Sequence, residues 1–174
     1  LNRTGASTQF ASRDGYKVEF LTPNTGTDEY HGKATTMPAL GKASAEPMRF
    51  LDFLIYEPVR AVMLHGAGIP VLIPAPERYA VHKLIIATRR LRDENGRDKS
   101  RKDLHQAEAL IQGMLMTNQL LPLSDAFIEG WHRGQSWRSA IAEGLEALPT
   151  AADIRMKLAQ GVKALGHEPK EFGL

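Results

Sequence analysis

The sequence predicts an α+β protein: a β-rich stretch over residues 1–75, then an all-helical stretch over 76–174. Two observations carry this. Before Pro76, the apolar runs are short and bounded by Gly, Pro and Asp, as strands and their turns are. After Pro76, apolar residues recur at the 3.6-residue period of a helix with one buried face. Runs of strands followed by runs of helices, with no internal repeat, are the α+β pattern.

The elements follow in order. STQFAS and YKVEFLTP flank RDG, where Asp14-Gly15 is a hairpin turn signal. Pro23 closes the second strand. Residues 24–44 are rich in Gly, Thr and Lys without a sustained period, so a long loop is expected. Long loops in small domains often carry function. PMRFLDFLIYE, residues 47–57, reads as a short apolar segment, helical at first. VRAVMLHG and IPVLIPAP read as two strands separated by Gly66-Ala67-Gly68. A helix starts at Pro76-Glu77, because proline lacks only an N–H that the first turn leaves unused. It runs to about Arg92, with Val81, Leu84, Ile85 and Leu91 near one stripe. DENGRDKS is a polar loop, and Ser100 is placed to cap a second helix. In that helix Leu104, Ala107, Ile111, Met114 and Leu115 keep the helical period. Helices around 123–133, 136–147 and 150–165 are expected, broken at Gly134, Pro149 and Gly166.

Composition narrows the classes. There is no cysteine among the 174 residues, which excludes disulfides and thiolate metal sites and points to a reducing, cytoplasmic setting. No apolar run approaches the roughly 20 residues of a membrane helix. The net charge is +2, but residues 78–102 hold nine Lys/Arg and three acids, a local +6 that leaves −4 for the remainder. Such an asymmetry suits a phosphate-bearing partner, although a solvated helix face also explains it.

Some motifs fail on inspection. GTDEYHGKAT has five residues between Gly26 and Gly32 where a phosphate-binding P-loop has four, and Ala34 sits where a Ser or Thr belongs. The six histidines show no H-x-x-x-H spacing, and there is no G-x-S-x-G nucleophile turn. Three residues stand out instead. Glu19 lies between Val18 and Phe20 in a strand, where it is costly to bury unless it binds something; an exposed strand face would also accommodate it. Lys83 interrupts the aliphatics of YAVHKLIIATRR, and its ammonium either meets an anion or snorkels to water. Asp103 opens the next helix, where the dipole alone would favour it. Trp131 and Trp137 fit core packing better than a binding surface.

Together, DGYKVEFLTP, PAPERYAVHKLIIATRR and KSRKDLHQAEALI resemble the nucleotidyltransferase-fold superfamily, the polymerase-β-like group, over roughly residues 10–115. Within it they are similar to bacterial proteins of the minimal and abortive-infection-toxin type. The resemblance implies part of a nucleotidyltransferase mixed β-sheet followed by a C-terminal helical bundle. It implies a Mg²⁺-dependent transfer of NMP from an NTP to an unknown acceptor, such as an RNA or a protein. Glu19 of VEF would then be the third metal carboxylate and help activate the attacking hydroxyl. Lys83 would contact the nucleotide phosphates, and Asp103 would orient Lys83 or a neighbouring arginine. Arg78, Arg89, Arg90 and Lys102 would raise the local potential for an anionic substrate. The sequence departs from the family in lacking its glycine-serine turn and D-x-D strand. The expectation is therefore a C-terminal part of a longer protein, inactive on its own. The alternative is a non-catalytic nucleic-acid or protein-binding module built on the basic helix pair.

Overall fold

A computed structural model describes residues 7–24, 34–41, 43–90 and 96–174. Residues 25–33 of the expected 24–44 loop, which hold most of GTDEYHGKAT, and Leu91 and Arg92 at the end of the expected helix lie outside the described residues. The chain forms two compact units, Leu1–Tyr56 and Glu57–Leu174. The expected division at 75/76 follows the change from strand to helix, and the hairpin that precedes Pro76 falls in the second unit.

In the first unit, β1 (Gln9–Ala11) and β2 (Lys17–Glu19) form the antiparallel hairpin, with Phe10 opposite Val18 and Gln9 opposite Glu19. Gly15 takes φ +87°, the left-handed conformation that glycine adopts without strain. The run expected as one strand then divides at Phe20. β3 (Leu21–Pro23) leaves the hairpin and pairs parallel with β5 (Ser44–Met48), while β4 (Thr35–Thr36) pairs antiparallel with the start of β5. Phe20 is the joint: its N–H donates to Thr8 and its carbonyl accepts from Glu46. Its ring meets Phe10 edge-on at 5.8 Å.

Two expectations change here. The 24–44 stretch contains β4, a 3-10 turn over Pro38–Leu40 and the first residue of β5. PMRFLDFLIYE starts as strand, not helix; α1 (Leu51–Leu54) begins only after Phe50 turns left-handed at φ 66°. Pro47 is tolerated in β5 because β4 covers only Ser44 and Ala45, so the missing N–H removes no ladder bond to that neighbour.

The second unit opens with the expected hairpin, β6 (Val59–Met63) and β7 (Ile69–Ile73), joined through Gly66 and Gly68 at positive φ. Five helices follow: α2 (Pro76–Arg90), α3 (Arg97–Met116), α4 (Leu120–His132), α5 (Gln135–Glu146) and α6 (Ala151–Ala164). α2 packs against α3, α4 and α5. Its Val81, Leu84 and Ile85 are buried with Ala107, Ile111 and Met114 of α3, Phe127 of α4 and Ile141 and Leu145 of α5. Trp137 is buried in the core, and the Trp131 indole donates to the Glu171 carbonyl at 3.0 Å. α3 begins earlier than the expected Ser100 cap: Gly96 opens it without a side-chain cap, and Ser100 is buried inside its first turn. Among the described residues, no helix is long and apolar enough to cross a membrane.

Two crossings are set by glycine. A Cβ on Gly144 of α5 would lie 2.7 Å from the Leu84 carbonyl oxygen of α2. One on Gly161 of α6 would overlap the Ser124 hydroxyl of α4. The α5 and α2 backbones, and the α6 backbone and the Ser124 side chain, approach this closely only because neither glycine carries a side chain.

Candidate functional site

Lys83 and Arg90 are seven residues apart on α2. Seven residues are nearly two helical turns, so both side chains rise from one stripe. α3 places Asp103 against that stripe, completely buried. One of its oxygens accepts from Lys83 Nζ at 2.7 Å and the other from Arg90 Nη1 at 2.6 Å. The side chains of Lys83 and Arg90 are 13% and 34% exposed, so the lysine is nearly enclosed and the arginine reaches solvent. Tyr79, one turn before Lys83, lays its ring 5.1 Å from Nζ. The cluster carries a net +1. It also retains donors, since an ammonium has three N–H groups and a guanidinium five, and Asp103 takes one from each. A buried carboxylate thus fixes two cations on one face of α2.

His82 lies beside this cluster. Burial, followed by the positive charge of Lys83, pushes its pKa down to about 4, with Asp103 opposing and Arg90 adding to the fall. It is therefore neutral near pH 7 and adds no charge to the cluster.

The other expected residues go elsewhere. Arg78 is buried and pairs with Glu129 of α4 at 2.6 Å, and Arg133 meets the other oxygen of Glu129 at 2.7 Å. Partial burial raises the Glu129 carboxyl, but the hydrogen bonds and charges of Arg78 and Arg133 outweigh it, and its pKa lies below the ordinary value. Arg78 thus fastens α2 to α4. Lys102 is exposed on the outer face of α3. Glu19, in the first unit, is exposed at the end of β2 and accepts a hydrogen bond from the Gln9 side chain across the hairpin.

Glu19 lines a cavity of about 330 Å³ together with Glu46 of β5. The sequence reading missed Glu46, whose only signal is an acid between Ala45 and Pro47. It also missed Tyr79 and Glu129, which the i, i+4 spacing to Lys83 and to Arg133 would have indicated. A hard cation such as Mg²⁺ needs a cluster of oxygen ligands. Among the described residues no three His, Asp or Glu side chains converge, so two carboxylates in one cavity do not make that site.

A family model described as nucleotidyltransferase matches residues 1–132 of the 174. The chain belongs to the nucleotidyltransferase family. No curated protein and no solved structure matches it. The matched region of this nucleotidyltransferase takes in Glu19, Glu46, Lys83, Arg90 and Asp103. Membership supports nucleotidyl transfer in general and an NTP as substrate, and it does not favour the alternative of a non-catalytic binding module.

Proposed function

We propose that Lys83 and Arg90, held by Asp103, grip the triphosphate of the incoming NTP. The observation that carries this is the full burial of Asp103 between the two cations, which leaves spare donors on both. Fixed cations cost little reorganisation when an anion arrives, and a triphosphate stabilises a cluster whose net charge is positive. In the transfer, an acceptor hydroxyl oxygen bonds to the α-phosphorus and the α–β bridging P–O bond breaks. Pyrophosphate leaves with that electron pair, and the hydroxyl proton passes to base or solvent. The two cations offset the charge that gathers on the leaving pyrophosphate.

Mg²⁺ is the ion we propose for this chemistry, with Glu19 the candidate carboxylate on the strength of the resemblance. Among the described residues the ligand set for such an ion is incomplete. The sequence contains no D-x-D pair, so we expect the isolated chain to bind NTP without transferring it. Its lack of cysteine supports a cytoplasmic setting.

The test is titration with ATP, GTP, CTP and UTP, with and without chelator, for the parent chain and for Lys83→Met. Methionine keeps the stem and removes the ammonium. At least a tenfold loss of affinity with unchanged circular dichroism is expected. Unchanged NTP affinity in a folded variant overturns the assignment.

A further inference from the structure

β6 and β7 form a two-stranded sheet of their own, and among the described residues neither strand makes a broad contact with another element. Both carry exposed apolar side chains: Val62 is 62% and Leu72 66% exposed, and Val59, Met63, Ile69 and Ile73 are exposed as well. A two-stranded ribbon is marginal in water, and three or more strands with an apolar face are needed for it to stand alone.

Pro70 decides which edge can take a further strand. It lies opposite Val62 and has no N–H, so this pair exchanges no hydrogen bonds. By the alternation of an antiparallel ladder, the bonded pairs are Val59–Ile73, Ala61–Val71 and Met63–Ile69. The N–H and C=O groups of Arg60 and Val62 therefore point away from β7. Among the described residues no other backbone group meets them. On the outer edge of β7, Pro70 interrupts the row of donors. One edge of the hairpin is open and the other is blunted.

The open edge fits itself. β6 is five residues long and centred on Ala61, its smallest residue. A two-fold axis through Ala61 pairs β6 antiparallel with its own copy over its whole length. Arg60 then faces Val62 of the second copy, and each such pair exchanges both backbone bonds. Ala61 meets Ala61 at a non-bonded pair, where the strands come closest and a small side chain fits. This register opposes no like charges, whereas one that sets Arg60 on Arg60 would. The blunted β7 edge stops growth at two chains, so the contact closes as a dimer.

We propose that β6 is the contact between two copies of this chain, which join in a four-stranded sheet ordered β7–β6–β6–β7. Edge pairing covers less than the roughly 800 Å² that each partner gives to a stable interface, so the Kd is on the order of 10–100 µM.

The experiment is sedimentation velocity on the whole chain from about 5 to 500 µM, a range that brackets this Kd. It compares the parent chain with Val62→Lys and Leu72→Lys. Both variants put a lysine on the same face of the hairpin at an exposed position, but only position 62 lies on the open edge, where the lysine would face Arg60. The parent chain should pass from monomer to dimer. Val62→Lys should need at least tenfold more protein to do so, and Leu72→Lys should follow the parent. In parallel, Ala61→Cys gives the chain a single cysteine. Its Cα would lie about 4.5 Å from its counterpart, within the reach of a disulfide. On oxidation it should run as a covalent dimer, while Leu72→Cys stays monomeric. A parent chain that remains monomeric at the highest concentration overturns the proposal. Equal weakening by the two lysines also overturns it and would assign the dimer to stacked faces, as would equal cross-linking of the two cysteines. If circular dichroism shows Val62→Lys unfolded, the pair of cysteine variants decides alone.

Discussion

Replacing Asp103 with asparagine tests the cluster at its centre. Asparagine keeps the shape and one acceptor oxygen but removes the charge that holds two cations. Arg90, 34% exposed, can turn its guanidinium to water and contributes little to the loss. Lys83 cannot do so readily: its side chain is 13% exposed, so its ammonium stays in a poorly solvated place without a counter-ion. Breaking a buried pair in this way costs about 3–5 kcal/mol, and the partial escape of Arg90 puts the expected loss near the lower end, about 3 kcal/mol. Urea unfolding followed by Trp131 and Trp137 fluorescence reads it. With a slope of about 1.5 kcal/mol/M, the midpoint should fall by about 2 M. A fall below about 0.5 M, or under about 1 kcal/mol, refutes the reasoning that Asp103 compensates an enclosed charge. The companion variant Lys83→Met/Asp103→Leu removes both charges and should return to within about 1 kcal/mol of the parent chain. It should nonetheless bind no NTP, which separates a ligand grip from a purely structural ion pair.

Gly144→Ala should destabilise by about 2 kcal/mol, because its Cβ meets the Leu84 carbonyl and the helices must part. Gly161→Ala should behave similarly and be largely rescued by Ser124→Gly; thermal melts of the singles and the double check this. His82 is neutral in the folded chain down to about pH 4 but protonates in the unfolded chain near 6.5, so the unfolded state binds more protons between those values. Its effect is constant above pH 6.5, stability then falls as pH drops toward 4 by up to about 3 kcal/mol, and His82→Leu should flatten the unfolding free energy over that window. Glu19→Gln should leave stability within about 0.5 kcal/mol by urea titration, since the side chain is exposed.

Local chemistry made much of the fold legible. Asp14-Gly15 announces its hairpin because a left-handed glycine is written into the turn. Gly134 and Gly166 punctuate the helices at positive φ, and the 3.6-residue period marks the buried faces of α2 and α3. The β3–β5–β4 sheet stayed hidden because its strands are two to five residues long, and the Leu21–Glu46 register joins positions 25 apart with no shared pattern. Ser100 misled because capping chemistry looks the same one turn inside a helix as at its start. At the site, the lone lysine among aliphatics was visible as an anomaly. Its pairing with Asp103 is a product of helix–helix packing, as is the diversion of Arg78 to Glu129.

The glycine contact between α5 and α2 reaches further than stability. Leu84, whose carbonyl rests on Gly144, is the residue after Lys83. The family match ends at residue 132, and α5 begins at Gln135. A segment beyond the matched region therefore rests on the backbone next to the lysine, through a glycine that leaves no room for a side chain. Grafting a foreign tail onto this one would detune the cluster without altering any residue in it.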